Sequence, residues 1–197
     1  MKMKRKVITA LLAATMVASL AVGCGNKGGD SKSDSSKSSS SDEITIGFSQ
    51  VGAESDWRTA NSESMKSTFS EKNGYKLIFD DAQQKQENQI TAIRNFIQQD
   101  VDYIVLAPVT ETGWDTVLKE AKDADIPVII VDRMIDVSDD SLYTAWVGSN
   151  FKMEGQKACE WLNAYAEAKG MKEVNIAHIQ GTIGASAQIG QIGRASC

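Results

Sequence analysis

Short apolar runs alternating with helical patterns constrain this chain more than any other feature. Ile44-Thr-Ile-Gly-Phe48, Lys76-Leu-Ile-Phe-Asp80, Tyr103-Ile-Val-Leu106 and Ile126-Pro-Val-Ile-Ile-Val131 have the length and composition of strands, and further strand candidates run from Thr144 to Gly148 and from Val174 to Ile179. Between them, Asp56 to Lys72 places Met65 and Phe69 on one helical face, and Lys85 to Gln99 repeats Ile90, Ile93 and Ile97 at helical spacing. Trp114, Val117, Leu118 and Ala121 do the same, and Phe151 to Ala168 predicts another helix. Strands apolar on both faces that alternate with helices build a parallel sheet covered on both sides, so the predicted class is α/β with a parallel sheet.

In open α/β sheets ligands bind beyond the carboxyl ends of the strands, which directs attention to the loops that follow them. The first strand leads into Ser49-Gln-Val-Gly-Ala-Glu-Ser-Asp-Trp-Arg58, the second into Asp80-Asp-Ala-Gln-Gln-Lys85, the third into Pro108-Val-Thr-Glu111 and the fourth into Asp132-Arg133. A dinucleotide site needs a glycine-rich turn after the first strand, where this chain has only Gly52, and no Walker loop is present. Asp80-Asp81 follows the second strand and reads as a turn and helix cap rather than the acidic pair of a phospho-accepting domain. The single histidine, His178, lies in a strand pattern, and Ser186 has no nucleophile elbow around it, so nothing points to hydrolysis, and no cofactor or metal is called for. A neutral polyol instead needs paired donors and acceptors plus an aromatic face. Arg58, Asp132 and Arg133 can supply the first and Trp57 the second. Asp132-Arg133 reads equally as a surface ion pair.

The amino-terminal end has a different character. Lys2, Lys4, Arg5 and Lys6 precede an uncharged apolar run from Val7 to Val22 that ends at Gly23-Cys24. That run is shorter than a bilayer span and ends in small residues, as a signal peptide does over residues 1–23. Cys24 sits as the lipidated cysteine of a bacterial lipobox would, and residues 24–42, almost wholly Gly, Ser, Lys and Asp, read as a flexible tether. The expected product is exported and held by lipid on Cys24 at the outer face of the cell membrane. Removing four of the 21 basic residues leaves 17 against 26 acidic ones, a formal charge of −9, which argues against nucleic acid as a partner. Cys159 falls in a helical pattern and Cys197 is the last residue, so no disulfide framework or metal spacing is visible.

The stretches from Ile46 to Asn61, Asp81 to Ile90, Glu111 to Leu118 and Ile126 to Arg133 resemble the ribose-type (type 1) periplasmic sugar-binding proteins, and most of all their galactofuranose-binding subgroup. The resemblance runs from about Ile44 to Ala187. It implies two Rossmann-like lobes that close on a monosaccharide and present the closed form to an ABC permease. Trp57 and Arg58 match first-loop sugar contacts, Asp132 and Arg133 match the pair that binds sugar hydroxyls, and Ser49 and Glu54 are further carry-overs. Val147-Gly-Ser-Asn150 matches the first hinge crossing, so residues 43–149 form the amino-terminal lobe and residues 150–197 begin a second, similar one. After Gln180-Gly181 the pattern departs: Gln-Ile-Gly is repeated, Arg194 stands displaced by three residues from the family arginine, and the chain reads as carboxy-terminally truncated, expected to bind sugar very weakly or not at all because closure over the ligand needs groups on both lobes. Importer function competes with sugar sensing for chemotaxis or a sensor kinase, which the resemblance does not separate. An exported enzyme on a flavodoxin-like scaffold is a further alternative, and a repressor of the same core fold would carry a helix-turn-helix where this chain has its lipobox.

Overall fold

The computed structural model describes residues 43–192; the expected signal peptide, the tether with Cys24, Arg194 and Cys197 lie outside the described residues. Five strands, β1 (Ile44–Gln50), β2 (Tyr75–Asp81), β3 (Tyr103–Leu106), β4 (Val128–Asp132) and β5 (Ala145–Gly148), form one sheet in the order β2-β1-β3-β4-β5. All four pairings are parallel, with Ser49 opposite Asp80 and Leu106, and Asp132 opposite Gly148. Five helices accompany them: α1 (Asp56–Thr68), α2 (Gln86–Gln98), α3 (Asp115–Asp123), α4 (Phe151–Ala168) and α5 (Ser186–Ile192). Parallel strands need such crossovers, because a two-residue turn cannot return the chain to the same end of the sheet.

The alternation of β side chains divides the core into two layers. On one face Ile104, Leu106, Val128 and Ile130 pack against Ala92, Ile93 and Phe96 of α2 and Val117, Leu118 and Ala121 of α3. On the other, Ile46, Phe48 and Val105 meet Met65 of α1 and Phe69, the residue that closes it. Gly47 lies in the centre of β1 because a Cβ there would enter the ring of Phe96. The expected α/β fold is therefore present, with every helix and strand of the first four repeats within a few residues of its predicted bounds.

Three expectations need correction. The buried stripe of α2 is Gln89, Ala92, Ile93 and Phe96, with Ile90 and Ile97 only partly buried, so the inward face is rotated away from the isoleucine register and includes an amide. The helix from Asp56 stops at Thr68 rather than Lys72, and a 3-10 turn, Glu71–Asn73, then carries the chain to left-handed Gly74. Val174 to Ile179 is not a strand: these residues, His178 among them, join no ladder and are exposed. Strand propensity is realised only beside a partner strand, and among the described residues none lies next to this segment.

Beyond the sheet, α4 and α5 pack on each other through two glycines. A Cβ on Gly155 would lie 2.7 Å from the carbonyl of Gln191, and one on Gly190 would lie 2.9 Å from Cβ of Phe151. The segment before α5 docks on the loops after β3 and β4: the Glu111 amide donates to the Gly184 carbonyl at 2.7 Å, and the Met134 amide to Oγ of buried Ser186 at 2.8 Å. Cys159 on α4 is disulfide-bonded, a pairing that the cysteine spacing did not announce.

Candidate functional site

The carboxyl ends of β1 and β4 bring the predicted residues together. After β1 the chain turns through Val51 to Ser55, whose side chain caps α1 by accepting from the Arg58 amide at 3.3 Å. That cap places Trp57 and Arg58 in the first helical turn. Arg58 folds inward and is 3% exposed, whereas Trp57 is 56% exposed and lies over the Arg58 guanidinium, 4.9 Å from ring centroid to Cζ.

The charges then cross between the two loops. Arg58 donates through Nη2 to Oδ2 of Asp132 at 2.5 Å, through Nε to Oε1 of Glu54 at 3.2 Å, and through Nη1 to Oε1 of Gln50 at 3.4 Å. Arg133 donates through Nη2 to the same Glu54 oxygen at 2.7 Å and reaches the Val109 carbonyl at 3.5 Å. Asp132 and Arg133 are therefore not an ion pair with each other, as one reading of the sequence had it. Each pairs with a residue of the loop after β1. Burial pushes the Arg133 guanidinium below its ordinary value; Glu54 pulls it back up, and the like charge of Arg58 adds to the depression. Two cations and two carboxylates close a neutral network whose carboxylates keep partial access to solvent, at 16% for Glu54 and 23% for Asp132. Such a network presents acceptors and forked donors side by side, which suits vicinal hydroxyls.

Ser49 does not join them. Its side chain is fully buried on the α2 side of the sheet, and its hydroxyl has no hydrogen-bond partner among the described residues, so it offers no surface to a ligand in this form. Asp81 makes the turn expected of it, accepting from the Gln83 amide at 2.8 Å, but the cap position of α2 is Lys85, which makes no side-chain cap.

Two glutamines that the sequence reading did not single out support the edge. Gln50 is buried and turns its amide to Asn61 and Ser62 of α1 while accepting from Arg58, fixing helix to strand. Gln89 is fully buried; its Nε2 donates to the Ala107 carbonyl at 2.7 Å and its Oε1 accepts from the Val109 amide at 2.8 Å, so it staples α2 to the end of β3. The signal for Gln89 was available, since it falls on the inward face of an otherwise apolar helix. A cavity of about 250 Å³ lined by Lys122, Ile126, Leu142 and Thr144 lies at the opposite, amino-terminal edge and includes none of the converging charges.

Residues 46–193 match the periplasmic binding protein domain family. The chain belongs to that family. Its fold is that of the type 1 members, and membership implies an extracytoplasmic protein. It is 52% identical over 146 residues to the galactofuranose-binding protein YtfQ of Escherichia coli, covering 74% of this chain and 45% of that one. A crystal structure of a galactofuranose binding protein superposes with a TM-score of 0.71 at 48% identity, over 78% of this chain and 50% of that chain. The periplasmic binding component of the arabinose ABC transporter from Shewanella, bound to L-arabinofuranose, gives 0.69 at 52% identity over 77% and 48%. The chain thus spans about half the length of the relatives it matches.

Proposed function

We propose that this chain is the substrate-binding component of an ABC importer for a monosaccharide of the galactofuranose or ribose kind. Glu54, Trp57, Arg58, Asp132 and Arg133 supply its side of the sugar cleft. The observation that carries this reading is the crossed pairing of Arg58 with Asp132 and Arg133 with Glu54 beside exposed Trp57. The pairs span the strand ends where α/β sheets bind ligands, and the indole offers a face to the C–H surface of a sugar. Similarity to a galactofuranose binding protein and to a binding component solved with L-arabinofuranose favours a five-membered ring. In the same reading residues 43–149 are one lobe, the chain from 150 enters a second, the permease is the membrane partner, and Cys24 carries the lipid after removal of residues 1–23. The protein binds its sugar without turning it over.

A thermal-shift screen tests it. Selective binding to the folded state raises the melting temperature by mass action, so L-arabinose, D-galactose, D-fructose or D-ribose should shift the midpoint where the disaccharide maltose does not. A flat response to all four monosaccharides from a form that carries both lobes, at concentrations up to roughly tens of millimolar, rejects the sugar reading.

A further inference from the structure

We propose that Trp146 and Gly148 of β5 are positioning residues for Asp132, so that the strand entering the crossing segment sets the aim of the sugar-binding acid; this rests on the assignment of Asp132 to the sugar site. Asp132 ends β4 with φ +63°, a left-handed conformation that is uncommon for a residue with a side chain, though Asp tolerates it better than most, and that surrounding contacts can hold in place. Two contacts do so. The indole Nε1 of Trp146 donates to the Asp132 backbone carbonyl at 3.2 Å. Gly148, two residues on and directly opposite Asp132 in the parallel ladder, leaves room for that carbonyl: a Cβ on Gly148 would overlap the Asp132 oxygen and lie 2.6 Å from the Trp146 nitrogen.

The consequence lies in the peptide plane. The Asp132 carbonyl belongs to the planar peptide that joins Asp132 to Arg133, so holding it fixes the plane from which Arg133 departs and, through ψ of Asp132, the angle that the Asp132 side chain makes with that plane. One donor and one missing side chain thus orient the acid that faces Arg58 and the base that faces Glu54. Gly148 is also the last residue of β5, followed by Ser149-Asn150 and α4, whose cap is the Asn150 side chain accepting from Met153 at 3.0 Å. A shift of β5 along β4 would therefore disturb the carbonyl of Asp132.

The test is a double-mutant cycle read by calorimetric titration of L-arabinose, using Trp146→Phe and Asp132→Ala in the full chain. Trp146→Phe keeps the ring and removes the donor, and it should weaken binding about five- to tenfold while leaving the melting temperature nearly unchanged. In the Asp132→Ala background the same change should have no further effect. The Trp146 indole N–H resonance, assigned by its loss in Trp146→Phe, should move on sugar addition in the parent and stay fixed in Asp132→Ala. Gly148→Ala should reproduce the loss of affinity by crowding the same oxygen. Unchanged affinity in Trp146→Phe, or an equal loss in both backgrounds, overturns the proposal while leaving the sugar site standing. Asp132→Ala binding as well as the parent overturns both.

Discussion

Replacing Arg58 by methionine removes the one cation that touches both carboxylates of the site. Arg58 is 3% exposed and Glu54 and Asp132 are 16% and 23% exposed, so the guanidinium is buried and its two partners are largely withdrawn from water. The substitution keeps the length of the stem but leaves Asp132 without its ion-pair partner and Glu54 with Arg133 alone. Breaking a buried pair by removing one partner costs about 3–5 kcal/mol, and partial rehydration of Asp132 at the sheet edge places this case near 3 kcal/mol (roughly). For a folded unit of this size that is a fall in melting temperature of roughly 6–12 °C. Far-UV circular dichroism on heating reads it directly. Arg58→Met with Asp132→Asn restores neutrality, so the double variant should be more stable than the sum of the two single effects by about 1 kcal/mol or more. A single variant that melts within about 1 °C of the parent, or strictly additive effects, would refute the view that a closed charge network holds the two loops together.

Three further outcomes follow from the same structure. Gln89→Leu deprives the Ala107 carbonyl and the Val109 amide of their partner inside the core, and urea unfolding should show a loss of about 2–4 kcal/mol, whereas a change below about 0.5 kcal/mol would mean that those groups find other partners. Trp57→Ala, at a side chain 56% exposed, should leave thermal stability almost unchanged and weaken sugar binding; equal effects on both would place the indole in the core instead. Burial, helped by the charge of Asp136, pushes the Glu111 carboxyl above its ordinary value. A group raised on folding favours the folded state below its unfolded value and forfeits that contribution as pH rises through its folded one. Glu111→Gln should therefore melt slightly higher than the parent at neutral pH, with the difference vanishing in acid; a variant that melts lower at neutral pH contradicts this sign.

Much of the sheet was legible because its signals are local. Tyr103–Leu106 and Phe151–Ala168 fall where apolar runs and helical spacing place them, since each carries its own pattern. Val174 to Ile179 has the composition of a strand, yet a strand is a relation between two segments, and the sequence of one says nothing about a neighbour. The same distinction divides the site. Trp57, Arg58, Asp132 and Arg133 were visible as polar residues in loops after strands, but the partner of each was not. Arg58 and Asp132 are 74 residues apart, and only the parallel order β1-β3-β4 brings them together. Trp146 was out of reach for a further reason: its role depends on the backbone conformation of another residue, which composition does not record.

The most direct measurement of the central claim is a heteronuclear NMR titration of the chain with L-arabinose, following backbone amides, the four tryptophan indoles and the arginine side-chain N–H groups. Saturable shifts should concentrate at Trp57, Arg58, Asp132, Arg133 and the loops that carry them, with Trp114 and the amino-terminal edge of the sheet silent. Saturable shifts centred on the cavity at Lys122 and Thr144, or none at the crossed ion pairs, would contradict it.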